Sequence, residues 1–135
     1  KRNVMTKTFD LDIITPTRII NKGPVEYLRA PSFDGLFGVQ TGHVNATIAL
    51  NIGEIKIIKD GKELFYSTSS GFADINNNKV EVLVESIELS NEIDQSRAQE
   101  SSDRAKKRLK DKKMDQKRAN ISLKKAINRL KVSKR

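Results

Sequence analysis

The chain has 135 residues, 36% hydrophobic and 32% charged, with one histidine, no cysteine and a formal net charge of +9. That length holds one domain, or a small domain with an appendage, and the missing cysteine excludes disulfides, thiolate metal sites and a Cys nucleophile. No run approaches the roughly 20 apolar residues of a membrane-spanning helix and no signal-peptide core is present, so the expectation is a soluble protein facing a reducing compartment.

Charge divides the chain. Residues 1–90 hold 10 Lys+Arg and 11 Asp+Glu, whereas residues 91–135 hold 16 and 6. All seven glycines, three prolines and seven aromatics lie in the first part. Two kinds of structure therefore join near residue 90.

The first part reads as β. TFDLDIIT (8–15) alternates Phe9, Leu11 and Ile13 with Asp10 and Asp12, the period of a strand with one wet face; the two acids read as solubility, not as a metal pair. VEYLRA (25–30) is a second candidate strand. APSFDGLFGVQTGHVNATIAL (30–50) fits poorly, because Gly35, Gly38 and Gly42 punctuate it. It reads either as a loop with apolar residues packed beneath it or as an exposed docking loop. The single histidine, His43, has no neighbouring ligand or acid and is a structural or contact residue rather than a catalyst. GEIKIIKDGKELFYSTS (53–69) is a hairpin about Asp60-Gly61, a dipeptide suited to a type I′ turn. GFADI (71–75), the turn formers Asn76 to Asn78, and KVEVLVE (79–85) make another. Close-spaced short strands imply an antiparallel sandwich or barrel.

The second part reads as two helices. Ser90 and Asn91 are good N-caps; with Asn91 as cap, Asp94 falls at N3 and Glu92 at N1. The first helix then runs to about Lys113 with a thin stripe of Ile93, Ala98, Ala105 and Leu109. A second, 115–132, gathers Ala119, Leu123, Ala126, Ile127 and Leu130, and KDKKMD (110–115) turns the chain between them. Small side chains let the helices pack as an antiparallel hairpin. The seam is narrow, so the hairpin should be held weakly, within a few kcal/mol of opening.

At the junction, Asp94 and Arg97 stand at i,i+3, with Arg104 and Arg108 further along. These are either a cap with a salt bridge worth a few tenths of a kcal/mol, or a cleft in which guanidiniums meet phosphate oxygens. There is no GxxxxGK[ST] loop, nor GxSxG, HExxH or EF-hand pattern, so a bound nucleotide would be recognised and not hydrolysed.

Along about 120 residues the chain resembles the epsilon subunit of F-type ATP synthase. The resemblance is carried by DIITPTRII (12–20), VEYLRAPSFDGLFGVQTGH (25–43), GFADINNNKVEVLVES (71–86), IDQSRA (93–98), which matches the family's [IL]-D-x-x-R-A motif, and KKAINRLKV (124–132). It implies a flattened antiparallel β-sandwich, residues 1–89, followed by a C-terminal antiparallel two-helix hairpin, residues 90–135. It implies a non-catalytic rotor subunit of a proton- or sodium-translocating synthase, on the cytoplasmic face of a bacterial inner membrane or the stromal face of a thylakoid. Its partners would be the γ subunit, the membrane c-ring and an acidic loop of the catalytic β subunit, toward which the cationic helices extend to block ATP hydrolysis. Leu36, Phe37, Gly38, Gly42 and His43 would lie in or near the c-ring and γ contact. Gln40-Thr41 stand where the family commonly has a Pro before the Gly, which should leave that loop less rigid. No cofactor is required, but some bacterial members bind a regulatory ATP on the folded-down hairpin. By residue match that site would use Glu88, Ile93, Asp94, Arg97, Ala98, Arg104 and Arg129, with Lys125 where ATP binders tend to have Arg; Lys keeps the charge and loses the fork. The competing readings are a nucleic-acid-binding module with a basic tail, which the tail's lack of aromatics disfavours, and a nucleotide sensor outside any synthase.

Overall fold

A computed structural model of the chain describes residues 7–111, 113 and 115–135. Of the turn expected at 110–115, residues 112 and 114 lie outside the described residues, as do residues 1–6 of the first expected domain.

Ten strands precede two helices: β1 (Phe9–Ile14), β2 (Ile19–Val25), β3 (Tyr27–Ser32), β4 (Gly35–Val39), β5 (Ala46–Leu50), β6 (Gly53–Lys59), β7 (Lys62–Thr68), β8 (Gly71–Asn76), β9 (Lys79–Val84), β10 (Ile87–Leu89), then α1 (Gln95–Lys110) and α2 (Gln116–Ser133). Hydrogen bonding runs β10-β7-β6-β3-β5-β8-β9-β1-β2, with β4 on the other side of β3. The sheet folds over itself into a β-sandwich. One layer is built on β10, β7, β6, β3 and β4 and the other on β5, β8, β9, β1 and β2. Between β3 and β5 the ladder narrows to one residue pair, Ser32 with Leu50. All pairings are antiparallel except β1 with β9, which run parallel. That pair needs no crossover helix, because β2 to β8 lie between its strands in sequence.

The alternation in the sequence becomes the core. Phe9, Leu11 and Ile13 of β1 and Val80, Val82 and Val84 of β9 are buried, together with Val25, Leu28, Leu50, Ile55, Ile57 and Ile75. Asp12 faces outward and pairs with Lys79 at 3.3 Å. At the β6–β7 turn Asp60 and Gly61 take φ of +53° and +73°, and at the β8–β9 turn Asn77 and Asn78 take +50° and +63°. Positive φ at both central residues defines the type I′ turn, whose twist matches that of the flanking strands.

Two expectations need correction. VEYLRA is not one strand: Val25 closes β2 and Tyr27 opens β3, and between them the Glu26 carboxylate accepts from the Asp60 and Gly61 amides at 2.7 and 2.9 Å. Residues 30–50 are not mainly loop. Residues 30–32 close β3, and β4 and β5 follow, with Gly35 (φ +123°) and Gly42 (φ +81°) taking the turns. The glycines interrupt the alternation without ending the strands. Gly38 sits inside β4, where a Cβ would lie 2.6 Å from the Tyr27 hydroxyl oxygen.

Gly71 opens β8 between Leu50 and Val84. A methyl there would run into the Leu83 carbonyl oxygen, which is backbone and cannot rotate away. Gly71→Ala should therefore cost about 3 kcal/mol or more, read as a lower urea midpoint at unchanged m-value.

Candidate functional site

The helices pack as an antiparallel hairpin on small residues: Ala98, Ser102 and Ala105 of α1 and Ala119 and Ala126 of α2 are buried. Each helix starts on an aspartate. Asp94 Oδ1 accepts from the Arg97 amide at 3.1 Å, and Asp115 Oδ1 from the Lys117 and Arg118 amides at 3.0 and 3.3 Å. The expected cap, Asn91, instead lies in a 3-10 turn, Ser90–Glu92, closed by a bond from the Ile93 amide to the Ser90 carbonyl. The physical reason is Ile93: the turn carries it inward, where it is buried with Ala98 and Val132 against Phe65 and Leu130. Of the expected apolar face of α2, Ile127 is 47% exposed and lies outside the seam.

The hairpin lies against the outer face of β6 and β7, and most of what holds it there is polar. Asn128 Nδ2 donates to the Gly53 carbonyl at 2.7 Å and to Ser67 Oγ at 3.0 Å. Lys124 Nζ donates to Asn51 Oδ1 at 2.9 Å. Arg129 makes a two-pronged pair with Glu88, Nε to Oε1 at 2.5 Å and Nη2 to Oε2 at 3.0 Å. Arg135 makes another with Glu54, at 2.8 and 2.7 Å, while its guanidinium sits 4.4 Å from the Phe65 ring centroid. The Glu54 bonds raise the Arg135 pKa. On the same face Lys56 donates to Glu63 at 2.8 Å and holds that carboxyl below its usual range, with smaller contributions from Arg135 and Arg29. The Lys56–Glu63 pair therefore contributes at neutral pH, and its contribution is lost in acid as pH falls through the lowered value.

The residues matched to a nucleotide site fall into separate groups. Glu88, Lys125 and Arg129 line a cavity of about 70 Å³ with Ser67, Thr68, Ser69 and Ser86. That is room for about two waters, and both prongs of Arg129 are spent on Glu88. Asp94 and Arg97 stand at the start of α1, with 3.9 Å between their charged atoms and the Arg97 side chain 82% exposed. Arg104 is exposed and donates to Ser101 Oγ at 3.1 Å. Ile93 and Ala98 are buried in the docking seam.

The residues matched to the c-ring and γ contact are strung along β4 and the loop after it. Leu36 is 66% exposed, Phe37 packs partly against the core, and Gly38 and Gly42 are exposed. His43 Nδ1–H donates to the Val44 carbonyl at 2.7 Å, which fixes its ring. The loop, which lacks the usual proline, is hydrogen-bonded to the neighbouring turn. The side chain of Asn78 holds it: Oδ1 accepts from Thr41 Oγ1 at 2.8 Å and from the Gly42 amide at 3.2 Å, and Nδ2 donates to the Thr8 carbonyl at 2.8 Å. Asn45 Oδ1 accepts from the Asn77 amide at 2.9 Å.

The sequence matches two family descriptions end to end: "ATP synthase, Delta/Epsilon chain, beta-sandwich domain" over residues 8–90, and "ATP synthase, Delta/Epsilon chain, long alpha-helix domain" over residues 91–134. The chain belongs to the delta/epsilon chain family of ATP synthase. It is 39% identical to the ATP synthase epsilon chain of Nitratidesulfovibrio vulgaris strain DP4, over 95% of this chain and 97% of that one. To the epsilon chain of Desulforamulus reducens it is 35% identical, over 96% and 99%. In fold it resembles a chain of the Euglena gracilis mitochondrial ATP synthase, with a TM-score of 0.82 at 22% identity over 99% of this chain and 85% of that one. As an epsilon chain it is a non-catalytic subunit of the central stalk.

For an epsilon chain the telling residues to which the sequence alone assigns no site role are Glu54, Asn128, Arg135 and Asn78. Glu54 looks like the wet face of an alternating strand, Asn128 and Arg135 like solvated helix positions, and Asn78 like a turn former only. Their partners lie 36 to 81 residues away in sequence, so no local pattern marks them. Asn78→Ala should release the loop. Its Gly42 amide should exchange with solvent at least about tenfold faster, for a stability loss of about 1–2 kcal/mol; unchanged exchange would show that the loop holds itself.

Proposed function

We propose that the sandwich couples the catalytic head to the membrane c-ring and that the hairpin, on leaving the sandwich, inhibits ATP hydrolysis. The observation that carries this reading is the docking seam. Among the described residues its apolar cluster is Ile93, Ala98, Val132, Phe65 and Leu130, joined by hydrogen bonds and ion pairs that water or another surface can replace. Such bonds are worth about 1 kcal/mol each, so docked and undocked states lie close enough for a partner to choose between them. We assign residues 1–89 to coupling and 90–135 to regulation.

Partners follow from surface chemistry and kinship. The segment from 91 on carries 16 Lys+Arg against 6 Asp+Glu, which favours approach to an acidic loop of the catalytic β subunit. On the sandwich, Phe72 is 55% and Leu83 41% exposed. They face each other across β8 and β9, with Ala49 and Ile14 in register beside them. An apolar band across four strands is a surface that an assembly covers, and we assign it to the γ subunit. Leu36, the Gly42-His43 loop and exposed Phe33 and Val44 are assigned to the c-ring. Among the described residues no helix is long and apolar enough to cross a membrane, so attachment is peripheral, through the complex. Kinship with bacterial chains favours the cytoplasmic face of the inner membrane.

ATP binding by Glu88, Ile93, Asp94, Arg97, Ala98, Arg104, Lys125 and Arg129 belongs to the same reading. It requires Arg129 to exchange the Glu88 carboxylate for phosphate oxygens, and the hairpin to shift so that Asp94, Arg97 and Arg104 reach the same ligand.

Two experiments test the proposal. Copurification with γ, followed by ATPase assay of the complex, should show inhibition with the full chain that disappears when residues 91–135 are deleted; equal inhibition by both forms would remove the regulatory role and leave the coupling role standing. ATP titration of the isolated chain should show binding weakened at least about tenfold in Asp94→Ala and in Arg97→Ala. Unchanged binding would mean that the motif is a helix cap only.

A further inference from the structure

The face of the sandwich beneath α2 carries a charge cluster with one more partner than it can satisfy. Arg29 of β3 stands opposite Lys56 of β6, which stands opposite Phe65 of β7. Glu54 lies two residues before Lys56 on the same face. Lys56 is committed to Glu63 at 2.8 Å. Glu54 therefore serves two guanidiniums: Arg135 takes both of its oxygens, at 2.8 and 2.7 Å, while Arg29 keeps one long contact, Nη2 to Oε1 at 3.4 Å. The Arg29 Nε–H is buried and has no hydrogen-bond partner among the described residues. A buried donor left unpaired is costly, and among the described residues the carboxylate paired with this guanidinium is the one that Arg135 holds.

We propose that Glu54 is an exchangeable anchor: docked, it binds Arg135 of the hairpin; undocked, it closes in a two-pronged pair on Arg29 and satisfies the buried Nε–H. The exchange lowers the free energy needed to lift the hairpin, because the carboxylate is never left alone. It also balances charge, since without Arg135 the face holds Arg29 and Lys56 against Glu54 and Glu63. Arg29, whose side chain among the described residues hydrogen-bonds Glu54 and no residue of the hairpin, is thereby a residue that opposes docking. The inference rests on the mobile hairpin proposed above and adds the element that sets its balance. It concerns the sandwich's own pairing and needs no nucleotide.

The test uses the full chain with dyes on cysteines introduced at exposed Lys62 and Lys107, read as energy transfer between sandwich and hairpin. Glu54→Gln should lower the ratio of docked to undocked chains. Arg29→Met should raise it about fivefold or more, the size expected for relieving one buried unpaired donor. Arg29→Lys should also raise it, because it keeps the charge but has neither the Nε–H nor the fork; this variant carries the test should Arg29→Met fold poorly. If Arg29→Lys matches the unsubstituted chain while Arg29→Met docks better, simple repulsion between Arg29 and Arg135 accounts for everything and the exchange is wrong. A fall in docking in both variants overturns it as well. In full-length Arg135→Gln, solvent exchange of the Arg29 Nε–H should slow by about tenfold; no slowing overturns the proposal. A hairpin docked equally in every variant would sink the mobile hairpin along with it, whereas a hairpin that moves but ignores Arg29 sinks the exchange alone.

Discussion

The mismatch between the hairpin's inner surface and the face it covers governs this molecule. The buried residues of α1 are alanines and a serine, and α2 adds two alanines and Val132. Such side chains let two helices approach closely but remove little area from water, and hydrophobic stabilisation scales with that area. What fixes the hairpin's place is a set of directional polar contacts from Lys124, Asn128, Arg129 and Arg135 to Asn51, Gly53, Ser67, Glu88 and Glu54. Contacts of this kind specify one docked geometry sharply and resist removal only modestly, because water can replace them.

The sandwich is the opposite case. Its interior is built from Ile, Leu, Val and Phe at or near full burial, and its turns take the backbone conformations their residues favour. The loop after β4 is tied through Asn78 to Thr8, just before β1, and through Asn45 to the same turn. One polypeptide thus carries a part held by a deep apolar core and a part held mainly by polar contacts. On the function proposed above, the first would serve transmission and the second control.

The sequence displayed the periodic features and hid those that depend on distant partners. Strands β1, β6, β7, β8 and β9 were legible because alternation and I′ turn residues agree locally. Strands β4 and β5 were obscured because glycines at 35, 38 and 42 mimic a loop, although Gly38 is there to admit the Tyr27 ring and the other two take positive φ. Strand β10 is three residues long, too short to show a period. The first helix was placed one turn early because Asn91 and Asp94 are equally good caps in isolation, and burial of Ile93 decided between them. The boundary motif was visible as chemistry, and its Asp94 serves as a cap here. The anchors Glu54, Asn128 and Arg135 were not visible at all, since each acquires its role only when α2 meets β6 and β7.

The narrow join between the layers of the sandwich bears on how it carries load. Between β3 and β5 the backbone ladder is a single rung, Ser32 with Leu50. A tangential force on one leaf therefore passes to the other through the short covalent connections between them, such as Glu26 and Asn51-Ile52, and through interlocked core side chains. Dispersion contacts and close packing make such an interior nearly incompressible, yet it resists shear less directionally than a row of hydrogen bonds. The sandwich should accordingly be stiff in compression across its leaves, with the one- and two-residue connections limiting how far one leaf slides over the other.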